Sequence, residues 1–507
     1  MIKKIVVAIV IGLLAIALMA GVTKGHKGNP IYNQTENSKL LGGPFETTNS
    51  SSRYALVEAM AENKTFFFTD KQAAFSASDI ASHNGKIFSV FTPGVSFVAL
   101  PFYLLGKQVG MPQLFTYFST AIVAILNLFL VFKLARKLGA GFYESLMGGG
   151  LFLFGTNALA YALTLTQHHL STMFILLALL NSFSKRTWIN NLGFGLLYGA
   201  GLLMDIPNGL MMLPLVGYIL FKHWFWSEGA GQLLFSVKLR FLALALGLMP
   251  LLGVFAWYNY QLTGSPTTIS QSLGRVDFTV DQGIIQRNKE SNRADEYEQR
   301  SFYNTRSQSR GLYILLVSNE RGWLYYSPMV VVGILGLIIG FRNKETRTLV
   351  ALAAAVGLFC LISYTSFGDP WGGWSFGPRY LIPASAIVSA GVSVALSRFK
   401  KNVPFVVTFF ALAIYGVAVN SLGAMTTSAI PPKVEAVNLP DPIPYTYEYN
   451  LGLLEQDKSS ALVYNLYLYE SVSFRDYWLA YISAASVIVA GLYVVSLFSK
   501  ERNDYAG

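Results

Sequence analysis

Apolar runs and short polar breaks alternate along almost the whole chain. Runs near 5–22, 113–134, 146–166, 170–184, 192–204, 209–225, 240–260, 324–341, 347–367, 380–397, 403–421 and 478–498 predict twelve helices. Most approach or reach the roughly 17–25 apolar residues that a membrane span needs. One further run, Val95 to Leu105, is half that length, contains Pro101 and follows Thr92-Pro93-Gly94. It predicts an interfacial or re-entrant helix that does not cross. The first run follows Lys3-Lys4. Its length and weak small-residue cleavage site favour a retained span over a signal peptide.

Charge tests this count. With the N-terminus inside, the inner breaks carry 18 Lys and Arg against five acids, Glu144, Glu228, Glu345, Glu501 and Asp504. The remainder carries 20 Lys and Arg against 22 acids. A positive excess confined to one side is the signature of cytoplasmic loops. Counting Val95–Leu105 as a span would move the Lys133, Arg136 and Lys137 cluster outside and break the pattern. The expected organisation is therefore a first span at 1–22, an extracytoplasmic loop at 23–112 and six spans over 113–260. A second outer loop at 261–323, four spans over 324–421, a third outer loop at 422–477 and a last span with cytoplasmic tail at 478–507 complete it. The expectation is an all-α polytopic membrane protein, with both termini inside and its working face outside.

Composition agrees. Of 507 residues 53% are hydrophobic and 13% charged, against roughly 25% charged in soluble domains. The net charge of +11 lies mostly in inter-span clusters, so it signals topology and not a nucleic-acid partner. A single cysteine, Cys360, sits inside an apolar run, which removes disulfides and Cys-based zinc sites within the chain. No Walker or Rossmann glycine pattern follows a strand.

The polar chemistry gathers outside. In the first loop SSSRYALVEAMAEN has serines suited to an N-cap. Leu56, Val57 and Met60 lie opposite Arg53, Glu58 and Glu62, a pattern that predicts a short helix lying on the membrane surface. Asp70 and Asp79 follow in a polar patch, and Asn84-Gly85 marks a turn. Adjacent His168 and His169 point about 100° apart on a helix, so they do not chelate one metal ion together. Asp205 either lines an outer cavity or caps the helix at Pro207. Segment 270–311 mixes Arg275, Arg287, Arg293, Arg300, Arg306 and Arg310 with acids, the composition of a solvated lid. In GDPWGGWSFGPRYLIPA, Trp371 and Trp374 suit the headgroup level. Gly372 and Gly373 permit close backbone approach. Arg379, one residue before a long apolar run, is costly unless paired or bound to an anion. Its plainest alternative is an interfacial side chain that snorkels to water.

Taken in order, these pieces resemble the GT-C glycosyltransferases, a superfamily of membrane enzymes that use polyprenyl-phosphate sugars, such as the protein O-mannosyltransferases and aminoarabinose transferases. The resemblance rests on the large first loop with Arg53-Tyr54-Ala55, SDIASHNGKIFSVFTPGVSFVALP, a histidine at the start of a span, YNYQLTGSP, RGWLYYSP and WGGWSFGPRYLIP. It covers most of residues 50–385. It implies transfer of a sugar from a polyprenyl-phosphate donor to a glycan, lipid or protein acceptor on the outer face, with inversion. A first-loop carboxylate serves as general base, and a cation meets the departing phosphate. One branch carries an Asp-Glu pair before Arg-Tyr-Ala, where this chain has Asn49-Ser50-Ser51-Ser52. The base is then Asp79, Asp70 or Glu46, of which Asp79 best matches the acid preceding the Gly-Lys-x-Phe-Ser segment. Arg379, His169, His168, Trp371, Gly373, Trp374, Asp205 and Lys86 are the substrate-binding candidates, with Asn259, Arg321 and Tyr326 weaker ones. No cofactor beyond the lipid-linked donor is implied, and a divalent metal is left open. The competing readings are a flippase or transporter of lipid-linked sugars and a non-catalytic assembly subunit.

Overall fold

The computed structural model describes residues 2–25, 39–226, 234–235, 239–286 and 308–499. The C-terminal tail from Lys500 and the loop arginines Arg287, Arg293, Arg300 and Arg306 lie outside the described residues. All twelve predicted runs are helical. Among the described residues, seven helices are long and apolar enough to cross a membrane: Ile2–Gly21, Pro112–Lys137, Leu239–Thr263, Arg347–Thr365, Arg379–Phe399, Val403–Met425 and Phe474–Phe498. The other runs give Phe142–Phe154 with Ala158–Ala162, His168–Ser182, Trp188–Met204, Pro207–Trp224 and Val330–Arg342. At about 1.5 Å per residue a 13-residue helix covers only about 20 Å.

Side-chain size sorts the helices into centre and rim. Arg379–Phe399 is 94% buried over its apolar window, whereas Leu239–Thr263 is only 11% buried. The central helix reads IPASAIVSAGVSVALSRF, and its small residues let neighbours approach to backbone contact. A Cβ at Gly336 would collide with the Gly391 carbonyl, which locks Val330–Arg342 against it. The rim helix instead exposes Leu246, Met249 and Trp257. A belt of large exposed apolar side chains is stable in lipid and not in water. The chain is an integral membrane protein.

The three long loops fold together above the helices. Helix Thr48–Glu62 does not lie on a surface. Eleven of its 15 residues are buried, because it packs between helix Gly94–Gln108, helix Asp70–Ser76 and strand Lys86–Ser89. Its serines are not caps either. The N-cap is Thr47, without a side-chain cap bond, and the serines sit inside the first turns. Asn84 and Gly85, both with positive φ, turn the strand Ile80–His83 back into Lys86–Ser89, the backbone that a two-residue hairpin demands. Unanticipated from the sequence, a hairpin of the second loop, Val276–Thr279 with Gly283–Gln286, adds to this one through Ile80 and Val276. The result is a four-stranded antiparallel sheet. The short apolar run Val95–Leu105 lies within helix Gly94–Gln108, which at 15 residues is about 22 Å long.

The third loop is tied down by a buried lysine and a half-buried glutamate. Lys24 Nζ donates to the Thr426 carbonyl (3.2 Å) and Ser460 Oγ (3.0 Å). Glu46 accepts from Gly42 N, Thr427 Oγ1 and both N and Oγ of Ser428, at 2.5 to 2.7 Å.

Candidate functional site

Asp79 ends the turn before strand Ile80–His83 and is held on every side. Its Oδ1 pairs with Arg275 Nε at 3.0 Å, and its Oδ2 accepts from the Thr48 hydroxyl at 2.7 Å. Ser52 Oγ donates to its carbonyl at 2.7 Å and bonds Ser89 Oγ at 2.8 Å. The hydroxyl-rich stretch that replaces an acidic pair in this sequence therefore clasps Asp79. Arg275 reaches it because, with Ile80 opposite Val276, the two side chains are diagonal neighbours on one face of the sheet, within reach of a long side chain. Arg275 is thus solvent-exposed yet ion-paired, not a free lid charge. The Asp79 charge holds its guanidinium above its ordinary value.

Arg53 lies beneath this pair. Its guanidinium stacks 3.9 Å over Phe91 and Nη1 donates to the Asn49 carbonyl at 3.1 Å and to Asn49 Oδ1. Burial brings it down to about 10, with Asp205 and Asp79 opposing the fall and Arg379 adding to it. The TPG turn brings Asp205 into range. Thr92 Oγ1 donates to the Met204 carbonyl at 3.0 Å, and a Cβ on Gly94 would collide with Leu203. Asp205 ends helix Trp188–Met204 and accepts from Gln167 Nε2 at 3.2 Å and from Tyr364. Its charge bears on Arg53 and Arg379, so it faces the cluster.

Arg379 closes the set from the other side. It is buried and contacts Tyr380, which stacks on Tyr364 at 4.2 Å. His168 stands between Tyr161 (5.2 Å) and Tyr380 (6.3 Å). Arg53 Nε, His168 Nε2 and Arg379 Nε are all buried without a protein partner. Buried polar nitrogens are normally bonded, so three orphans in one charge-coupled cluster mark a place for an acceptor-rich, anionic ligand. With Arg275, Asp79 and Asp205 included, the set of formal charges sums to one positive. His169 is different. Its Nε2 donates to the Ala158 carbonyl at 2.7 Å, so it fastens the broken helix and faces no ligand.

The loop carrying Arg379 is shaped by Arg321, which sequence reasoning placed among the weaker candidates. Fully buried, Arg321 donates to the carbonyls of Trp371 (3.2 Å) and Ile430 (2.7 Å) and to Ser375 Oγ (3.1 Å). Burial pulls it below its ordinary value. Gly372, Gly373 and Gly377 all have positive φ. Gly372 also touches the Arg379 guanidinium, since a Cβ there would lie 2.9 Å from Nε. Trp371 is buried, its indole N–H on Glu320 at 2.8 Å. Trp374 is 39% exposed, its N–H on Glu435 at 2.6 Å.

Other sequence candidates fall elsewhere. Asp70 is exposed in the first turn of its short helix, where a carboxylate meets the positive end of the helix dipole. Lys86 is exposed with Nζ 4.5 Å over Phe67. Glu46 is occupied by the third loop. Asn259 Nδ2 bonds the Pro266 carbonyl at 3.3 Å, and Tyr326 packs edge-on to Phe376 at 5.0 Å. Among the described residues no three His, Cys, Asp or Glu side chains gather as metal ligands.

No protein-family model matches the chain, and no curated protein matches it. Among solved structures it is similar to the archaeal oligosaccharyltransferase AglB from Archaeoglobus fulgidus in complex with an inhibitory peptide and a dolichol-phosphate. That TM-score is 0.46 at 12% identity, over 87% of this chain and 58% of that one. It is also similar to ArnT from Cupriavidus metallidurans bound to undecaprenyl phosphate, at a TM-score of 0.47 and 12% identity, over 98% and 75% of the two chains. This chain thus spans less than two thirds of the oligosaccharyltransferase.

Proposed function

We propose that this protein is an integral-membrane glycosyltransferase that moves a sugar from a polyprenyl-phosphate donor to an acceptor hydroxyl. The observation that carries the reading is the cluster of orphaned nitrogens on Arg53, His168 and Arg379, facing two buried carboxylates where the long loops meet the helix ends. In this reading that junction lies on the extracytoplasmic side, as the distribution of Lys and Arg requires.

The chemistry follows from the side chains. The donor phosphate lies against Arg379 and Arg53, whose planar forks match its oxygens. The acceptor oxygen forms a bond to the anomeric carbon while its proton passes to Asp79 Oδ2. The Thr48 hydroxyl, 2.7 Å from that oxygen, occupies the position the acceptor hydroxyl takes. The bond from anomeric carbon to phosphate oxygen breaks, and the electron pair leaves with polyprenyl phosphate. A single displacement inverts the sugar. The extra negative charge on the phosphate is met by fixed guanidinium groups in a dry site, where such interactions weigh most.

Purified protein given a polyprenyl-phosphate hexose and acceptors tests this. Acceptor-dependent release of free polyprenyl phosphate, lost in Asp79→Asn, is expected. Movement of intact donor between leaflets without cleavage would identify a transporter and end the transferase reading.

A further inference from the structure

The two tryptophans of WGGW are pinned in the same way and put to different use. Each indole N–H donates to a glutamate, Trp371 to Glu320 and Trp374 to Glu435. Glu320 also accepts from the Lys433 backbone N–H at 2.9 Å, so the third loop and the glycine loop are stitched side by side. Between the tryptophans, Gly372 and Gly373 in the left-handed region turn the chain. One ring goes inward under Arg310, 5.4 Å away, and the other outward. An exposed Trp is commonly a lipid-interface anchor, but such a ring leaves its N–H to water and headgroups. Here the N–H is fixed by a carboxylate of an aqueous loop, with Asp369 bonded to Gly372 N beside it. The nearby Lys433 ammonium is laid over Tyr445 at 5.5 Å.

We infer that Trp374 and Glu435 form a binding platform for a neutral glycan, placed five residues from Arg379 to receive the acceptor chain. A held indole offers a flat apolar face at little entropic cost, which suits the C–H face of a hexose ring. Glu435 beside the ring only accepts hydrogen bonds, which suits sugar hydroxyls and favours a neutral ring over an anionic one at that contact. The acceptor role rests on the transferase reading; the binding itself does not.

The test therefore measures binding without turnover. Calorimetric titration of the purified full chain would use neutral glucose and mannose hexasaccharides, a uronic-acid hexasaccharide, a lysine-rich peptide and anionic phosphatidylglycerol vesicles. A neutral hexasaccharide should bind, with affinity falling about tenfold or more in Trp374→Ala and kept within a few-fold in Trp374→Tyr. Glu435→Gln should weaken it, whereas Asp70→Asn, on an exposed helix away from the site, should leave it unchanged. Absence of neutral saccharide binding, binding indifferent to Trp374→Ala, or preference for the peptide or vesicles would overturn the platform. Saccharide binding by a protein that never releases polyprenyl phosphate would instead leave the platform standing and remove the transferase.

Discussion

Arg275 and Asp79 meet at 3.0 Å across the seam between two loops nearly 200 residues apart in sequence. The pair joins the proposed general base to a loop that composition alone marks as solvent. A base held this way is oriented before any acceptor arrives, and orientation supplies much of what a catalytic carboxylate contributes.

Asp79→Asn keeps the shape and the Thr48 and Arg275 neighbours but cannot take a proton. Transfer should fall by about 100-fold or more, with the unfolding midpoint shifted by only a few degrees. Asp70→Asn should transfer sugar at the wild-type rate. Comparing initial rates of the two variants checks the assignment, and equal loss in both would refute it.

Gly372 and Gly373 separate two effects of the same substitution. Alanine at either position must adopt a left-handed backbone, costing about 1 kcal/mol or more. Only at Gly372 does the new Cβ also press on Arg379. Gly372→Ala should raise the donor KM about tenfold, while Gly373→Ala stays within about threefold. Arg379→Lys, which loses the fork, should resemble Gly372→Ala.

Arg321 contacts no reacting group, yet its loss should be among the most damaging. Removing it deletes charge-assisted bonds to the Trp371 and Ile430 carbonyls and to Ser375 Oγ, at about 1.5–3 kcal/mol for each, and leaves both carbonyls held by Ser375 alone. Arg321→Ala should lower the unfolding midpoint in detergent by many degrees. A midpoint within 2 °C or so of wild type would show that water replaces the guanidinium.

Lys24 gives a signed pH test. Burial brings its ammonium from 10.5 to about 8, against the pull of Glu46. Between those values the unfolded chain binds a proton that the native chain lacks, so this residue makes stability rise with pH across that window. The full span is about 3 kcal/mol. Lys24→Met should remove that rise, read as the slope of the midpoint between pH 8 and 10. Identical slopes in the two proteins would mean that Lys24 does not titrate there.

The apolar runs by themselves determined the helices, because each peptide group in lipid must bond within its own segment and a long apolar run has one way to do so. The same logic marked Val95–Leu105 as half-length and Asn84-Gly85 as a turn, since both depend on neighbours in sequence. Arg379 and Asp79 were visible as costly charges near apolar segments. Tertiary structure alone decided what surrounds them. It paired Arg275 with Asp79 through a sheet joining two loops, buried Arg53 under Phe91, and separated His168 from His169 by one carbonyl. It also made Arg321 the frame of the glycine loop. Charge partners far apart in sequence are selected by how desolvation and geometry balance at the meeting point, and a linear pattern carries no record of that balance.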